Sequence, residues 1–143
     1  GLEHRLEHVA IFNGIEFIND SKATNIESVI VAIKAFDRPI VLLLGGYKKK
    51  SNFRLLLPHI KSNHVRAIIS YGEAGGQINT ALGDAVRLVR EANLKSAVNK
   101  AQILAKPGEL VLLSPGCASF DEFSDFEERG NFFKKTVYEL SHK

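Results

Sequence analysis

A carboxylate, two hydroxyls and an ammonium stand together in Asn19-Asp20-Ser21-Lys22-Ala23-Thr24-Asn25, where an apolar strand-like run ends and a helical pattern begins. At such a junction the helix N-terminus offers unpaired N–H groups and the positive end of a dipole to anions. Asp20 there suits a sugar hydroxyl and Lys22 a phosphate or carboxylate, while Thr24 or Asn25 either caps the helix or turns to a ligand. A capped helix with a solvated lysine uses the same residues, so the stretch gains meaning only from what joins it.

Two further loops follow apolar runs. Gly45-Gly46-Tyr47-Lys48-Lys49-Lys50-Ser51-Asn52 has glycines for a sharp turn and lysines for an acidic substrate, with at most one of the three successive lysines turned inward. It lacks the spacing of a phosphate-cradling Walker A loop. Ser114-Pro115-Gly116-Cys117-Ala118-Ser119 offers hydroxyls around the single cysteine. No base stands beside Cys117 in the sequence, so it reads as a small buried thiol rather than a nucleophile. His4, His8, His59, His64 and His142 show no paired metal-ligand spacing, and no structural zinc is expected. The acidic residues Asp121, Glu122, Asp125, Glu127 and Glu128 suit the start of a last helix through its dipole.

Positioning these loops requires alternating strands and helices. Two short strands, 8–13 and 15–19, turn about Gly14. Ile26, Val29, Ile30, Ile33 and Phe36 repeat at helical spacing within 25–36. The continuous apolar run 40–44 and the apolar runs 65–71 and 110–113 read as strands buried on both faces of a parallel sheet. Helices are expected over 53–60, 73–82, 95–105 and 123–140, with a short strand at 85–89. The expected fold class is therefore α/β, a Rossmann-like doubly wound, mostly parallel sheet with an N-terminal antiparallel hairpin strand. In such a sheet all three loops emerge on one edge, where ligands collect.

Composition narrows the function classes. The chain has 143 residues, is 45% hydrophobic and 24% charged, and fits one domain with a real core. A net charge of +3 without interleaved aromatics argues against nucleic acid. No run approaches the length of a membrane span, the N-terminus is no signal peptide, and the lone cysteine fits a reducing cytoplasm. The opening residue is Gly1 rather than Met, which points to a piece of a longer protein.

Read together, Gly1-Leu2-Glu3-His4-Arg5, Asn19 to Asn25, Leu43-Leu44-Gly45-Gly46 with Lys49 and Phe53, and Leu113 to Asp121 with Phe123, Phe126, Arg129 and Gly130 resemble the C-terminal domain of the Mur ligase family, over essentially the whole chain. The similarity is to its D-glutamate-adding members. It implies a bacterial cytoplasmic, monomeric enzyme of peptidoglycan synthesis that uses ATP and Mg2+ to join D-glutamate to UDP-N-acetylmuramoyl-L-alanine through an acyl phosphate. Residues 1–143 would be the third of three domains. The absent first would bind the UDP-sugar, and the absent central one would carry the P-loop and hold the metal, so this piece alone should be inactive.

The resemblance also implies roles. Lys22 would reach the transferred phosphoryl group as the catalytic lysine. Asp20 would meet the ribose of ATP and Arg5 its phosphates, assisted by His4. Thr24, Lys49 and Ser119 would bind the carboxylates of D-glutamate, helped by backbone N–H groups around Phe120 and by Phe126. Lys49 is singled out among the lysines because it stands four residues before Phe53. The chain departs from the family pattern at Tyr47, Lys48, Lys50 and Gly116. Another Mur ligase or a folylpolyglutamate synthetase-like ligase is the alternative within the superfamily; outside it, a non-catalytic nucleotide-binding module, for which the three loops need not converge.

Overall fold

The computed structural model describes residues 2–143; Gly1, the start of the first motif of the resemblance, lies outside them. Strand β1 (Glu7–Phe12) turns antiparallel into β2 (Ile15–Asn19). The turn residues Asn13 and Gly14 both have positive φ, 53° and 74°, as a two-residue turn matching strand twist requires. Gly14 also lies against Pro107, which an added Cβ would meet at 2.8 Å.

Four more strands complete a six-stranded sheet of order β1-β2-β6-β3-β4-β5: β3 (Ile40–Gly45), β4 (Val65–Tyr71), β5 (Arg87–Glu91) and β6 (Leu110–Leu113). From β2 onward every pairing is parallel. Successive residues of the central strands feed opposite faces. Leu42, Leu44, Ile68 and Leu112 pack under α1 (Ile26–Lys34), α2 (Leu57–Ser62) and α3 (Gly75–Leu82). Val41, Leu43, Ile69 and Val111 pack under α4 (Leu94–Leu104) and α5 (Phe126–Ser141). The doubly wound α/β expectation, with its antiparallel hairpin strand, is the observed architecture.

Boundaries differ where caps and backbone geometry decide. Helix 53–60 is a 3-10 turn, Phe53–Leu56, followed by α2 running to Ser62, with Pro58 in the first turn, where its missing N–H costs nothing. The edge strand β5 lies two residues beyond the expected 85–89, because its ladder is set by Ala67 opposite Arg87 through Tyr71 opposite Glu91. The last helix starts at Phe126 rather than Phe123. Asp125 caps it, accepting a hydrogen bond from the Glu128 N–H at 2.8 Å. Among the described residues no helix is long and apolar enough to cross a membrane.

Candidate active site

Because β2, β6 and β3 are parallel neighbours, the loops at their carboxyl ends are adjacent, and backbone hydrogen bonds lock them together. Asp20 N–H donates to Leu113 O at 2.7 Å, Gly116 N–H to Ala23 O at 2.8 Å, Gly45 N–H to Pro115 O at 3.0 Å and Tyr47 N–H to Ala118 O at 2.9 Å. The segment Ser114–Glu122 thus straps the first loop to the second. Its far end reaches further, since Asp121 accepts from the Glu73 N–H at 3.3 Å and Glu122 from the Leu94 N–H at the start of α4.

The first loop builds a cleft of about 350 Å³ lined by Arg5, Leu6, Asp20, Lys22 and Ala23, with Val31 and Ala32 of α1 as its apolar wall. Asn25, not Thr24, caps α1, accepting from Ser28 N–H at 2.9 Å. That leaves the exposed Thr24 hydroxyl and the exposed Lys22 ammonium free of capping duty. Asp20 is buried, and each carboxylate oxygen accepts one hydrogen bond: Oδ1 from Leu6 N–H at 3.1 Å, Oδ2 from the Ser114 hydroxyl at 2.8 Å. A carboxylate has about four lone-pair positions, so two donors leave capacity for a ligand hydroxyl.

Burial pushes the Asp20 carboxyl above its ordinary value, outweighing the Ser114 and Leu6 hydrogen bonds and the field of Arg5. A carboxyl raised in the folded state binds more protons folded than unfolded, so its contribution to stability falls as pH rises through that window. Ionised Asp20 therefore costs stability at neutral pH. Asp20→Asn should unfold at an equal or higher temperature than the wild type at pH 7, and that advantage should vanish at about pH 3, below both carboxyl values. Thermal unfolding across that range checks it; a neutral-pH loss for Asp20→Asn contradicts it.

The other expected residues divide. Lys49 and Phe120 are exposed, Phe126 is half-buried, and Ser119 is buried at the base of its loop. Phe120 meets Tyr47 edge to face at 5.9 Å between ring centres. His4 lies outside the cleft lining: it is 3% exposed, its Nδ1 is 2.9 Å from Asn19 Nδ2, and its ring meets the edge of Phe126 at 6.0 Å. Its carbonyl accepts the Lys22 N–H at 3.0 Å, so it ties the N-terminal segment to the first loop. A second cleft of about 900 Å³, around Lys48, Arg54, Gln77 and Arg90, contains none of the expected site residues. Cys117 is buried, and burial pushes its thiol up to about 12, in keeping with an inert thiol.

Two supporting residues carry no assigned role in the sequence reading. Ser114 holds Asp20, and Arg129 is 1% exposed beneath the loops, its Nη1 donating to Cys117 O at 2.8 Å and its Nη2 to Ser21 O at 2.7 Å. Arg129 did leave a trace: it is the charged member of an otherwise uncharged buried stripe, with Gly130, Phe133, Thr136 and Val137, on α5.

Residues 4–117 match the family profile described as Mur ligase, glutamate ligase domain. Over 142 residues the chain is 46% identical to a UDP-N-acetylmuramoylalanine–D-glutamate ligase of Acidobacterium capsulatum, covering 99% of this chain and 30% of that protein. The corresponding ligase of Bacillus subtilis is 41% identical over 143 residues, covering 98% and 31%. The chain thus spans about a third of the length of the curated relatives it matches. In structure it resembles the MurF ligase of Thermotoga maritima in complex with ADP, with a TM-score of 0.62 and 13% identity, covering 98% of this chain and 32% of that one. At that identity the likeness concerns the fold, and it is the profile match over most of the chain that places this protein in the Mur ligase family, as a glutamate ligase domain.

Proposed function

We propose that this chain is the third domain of an ATP-dependent ligase that joins D-glutamate to UDP-N-acetylmuramoyl-L-alanine. The observation that carries the reading is the locking of three loops at one sheet edge, bringing the Asp20–Lys22 cleft beside the strap that holds Ser119. The relatives named for this reaction support it at 46% and 41% identity.

In the proposed reaction a carboxylate oxygen of the UDP-linked substrate attacks the γ-phosphorus of ATP and ADP leaves. The D-glutamate amine then adds to the acyl carbon, loses a proton and expels phosphate. This chain's residues bind, position and neutralise charge. Arg5 faces the nucleotide phosphates, Asp20 accepts from a ribose hydroxyl, Lys22 meets the transferred phosphoryl group, and His4 assists by holding Arg5 in place. Thr24, Lys49 and Ser119 take the carboxylates of D-glutamate, with Phe120 and Phe126 beside them. Cleft chemistry fits a nucleotide, since Arg5 and Lys22 face an apolar wall. It does not fit a magnesium ion: among the described residues no three His, Cys, Asp or Glu side chains gather into a possible metal site. In this reading the metal is held by the rest of the longer protein.

The test uses the full-length protein. ADP release should require UDP-N-acetylmuramoyl-L-alanine and D-glutamate together, and L-glutamate should not substitute; release with L-glutamate alone, or none with the D enantiomer, overturns the reading. Within it, Lys49→Ala should raise the KM for D-glutamate about 10- to 100-fold, the worth of one charge-assisted hydrogen bond. Lys48→Ala and Lys50→Ala should stay within about threefold, since both side chains are exposed and the Lys48 contact to Glu73 runs through its backbone N–H. Steady-state kinetics on the three variants decide which lysine faces the substrate.

A further inference from the structure

We propose that Arg129 is the positioning residue of the amino-acid half of the site: its guanidinium sets where Ser119, Phe120 and Phe126 stand relative to the Asp20–Thr24 loop, and supplies buried positive charge for a dicarboxylate. The inference rests on the ligase reading for the identity of the ligand, and on geometry for the rest.

Taking a guanidinium out of water is costly, and buried arginines usually recover that cost on a carboxylate. Arg129 is 1% exposed, yet its acceptors are all neutral: the Ser21 hydroxyl from Nε at 2.9 Å, Ser21 O from Nη2 at 2.7 Å and Cys117 O from Nη1 at 2.8 Å. Among the described residues no carboxylate forms an ion pair with it. Asp121 and Glu122 act on it only through space, each accepting instead from a backbone N–H, that of Glu73 and that of Leu94. A cation without an ion-pair partner among the described residues therefore sits under the two loops that face the proposed anionic substrate.

Its three donors also explain why arginine is needed. Ser21 passes its own proton to Phe126 O at 2.7 Å, so one fork of the guanidinium fixes the first loop and, through that hydroxyl, the first turn of α5. The other fork fixes Cys117, two residues before Ser119. Lysine keeps the charge but cannot span both sides from one nitrogen. Gly46 lets the second loop lie close against the strap that the fork holds, since an added Cβ would stand 2.6 Å from Ala118 O and 3.1 Å from Cys117 Cβ.

Anchors are distributed unequally. The first loop has independent ties through Leu113, Leu6 and Ser114, whereas the strap beyond Cys117 is next held only at Asp121 and Glu122. The Ala118–Phe120 stretch between, where Ser119 and Phe120 stand, has the Tyr47 N–H as its one hydrogen bond to a neighbouring loop among the described residues. Loss of the fork should therefore displace the amino-acid half and spare the nucleotide half. In the full-length ligase, Arg129→Lys should raise the KM for D-glutamate at least tenfold while the KM for ATP stays within threefold. A merely structural role would instead lower the active fraction, hence kcat, with both KM values unmoved. In this chain alone, the Tyr47 amide should exchange with solvent at least tenfold faster in Arg129→Lys, with the β3 amides unchanged.

A D-glutamate KM within twofold of wild type, or a rise shared equally by ATP, overturns the proposal. If Arg129→Lys does not fold, Ser21→Ala replaces it: it removes the hydroxyl between Nε and Phe126 O and should raise the D-glutamate KM at least threefold, an unchanged value counting against. If the wild-type protein does not use D-glutamate, the ligase reading fails and Tyr47 exchange alone decides whether Arg129 positions the strap.

Discussion

Gly130→Ala should lower the stability of this domain by about 2 kcal/mol, although alanine is the better helix former by about 1 kcal/mol. Gly130 lies inside α5, where propensity alone favours the substitution. A Cβ at that position would stand 2.1 Å from His4 Nδ1 and 3.1 Å from Asn19 Nδ2. His4 has nowhere to go: it is 3% exposed, bonded to Asn19 and set against Phe126. Overpacking of this kind costs about 1–3 kcal/mol and the broken buried hydrogen bond about 1 more, which outweighs the helical gain. Thermal unfolding should fall by roughly 4–8 °C for a domain of this size. In a His4→Ala background the clash is gone, and the same substitution should be neutral or stabilising; a double-mutant cycle measures that reversal. A Gly130→Ala chain as stable as wild type would show that His4 yields freely. The substitution should also disturb the cleft, because His4 O holds the Lys22 N–H at 3.0 Å and the adjacent Arg5 lines the same cleft as Asp20 and Lys22.

The second large effect is expected on chemistry rather than stability. If Lys22 meets the transferred phosphoryl group in a full-length ligase as proposed, Lys22→Ala should lower kcat by about 100- to 1000-fold, the usual loss when one preorganised donor to a developing anionic charge is removed. Its side chain is exposed, lines the cleft with Arg5 and Asp20, and is in no ion pair among the described residues. Folding should therefore be unchanged. Lys22→Arg should recover little, since a planar fork does not reproduce a compact ammonium. Single-turnover ADP formation isolates the step; a kcat within tenfold of wild type would place the phosphoryl contact elsewhere in the longer protein.

The strands were legible because periodicity carries them. Ile40–Leu44 and Leu110–Leu113 are unbroken apolar runs, Val65–Tyr71 is apolar except for Arg66 and Ser70, and a parallel sheet covered on both faces imposes no polar alternation to mislead. Edges and caps were less legible. Strand β5, with a mixed sequence at the sheet margin, takes its register from β4, so its own residues could not fix it. The last helix begins where Asp125 finds the Glu128 N–H, which selects one of several acidic residues able to cap.

The candidate site follows the same division. Sequence alone placed Asp20, Lys49 and Ser119 on three loops after three strands, and parallel pairing made those loops neighbours. Tertiary structure decided which side chains face outward and which bear load. It left Lys22, Thr24 and Lys49 exposed, buried Asp20 with Ser114, and turned His4 inward against Gly130. It also put the Arg129 guanidinium between Ser21 and Cys117. The physical reason is range: periodicity and capping act over a few residues, whereas a hydrogen bond such as Ser114 to Asp20, 94 residues apart, exists only once the sheet has brought the two ends of the chain together.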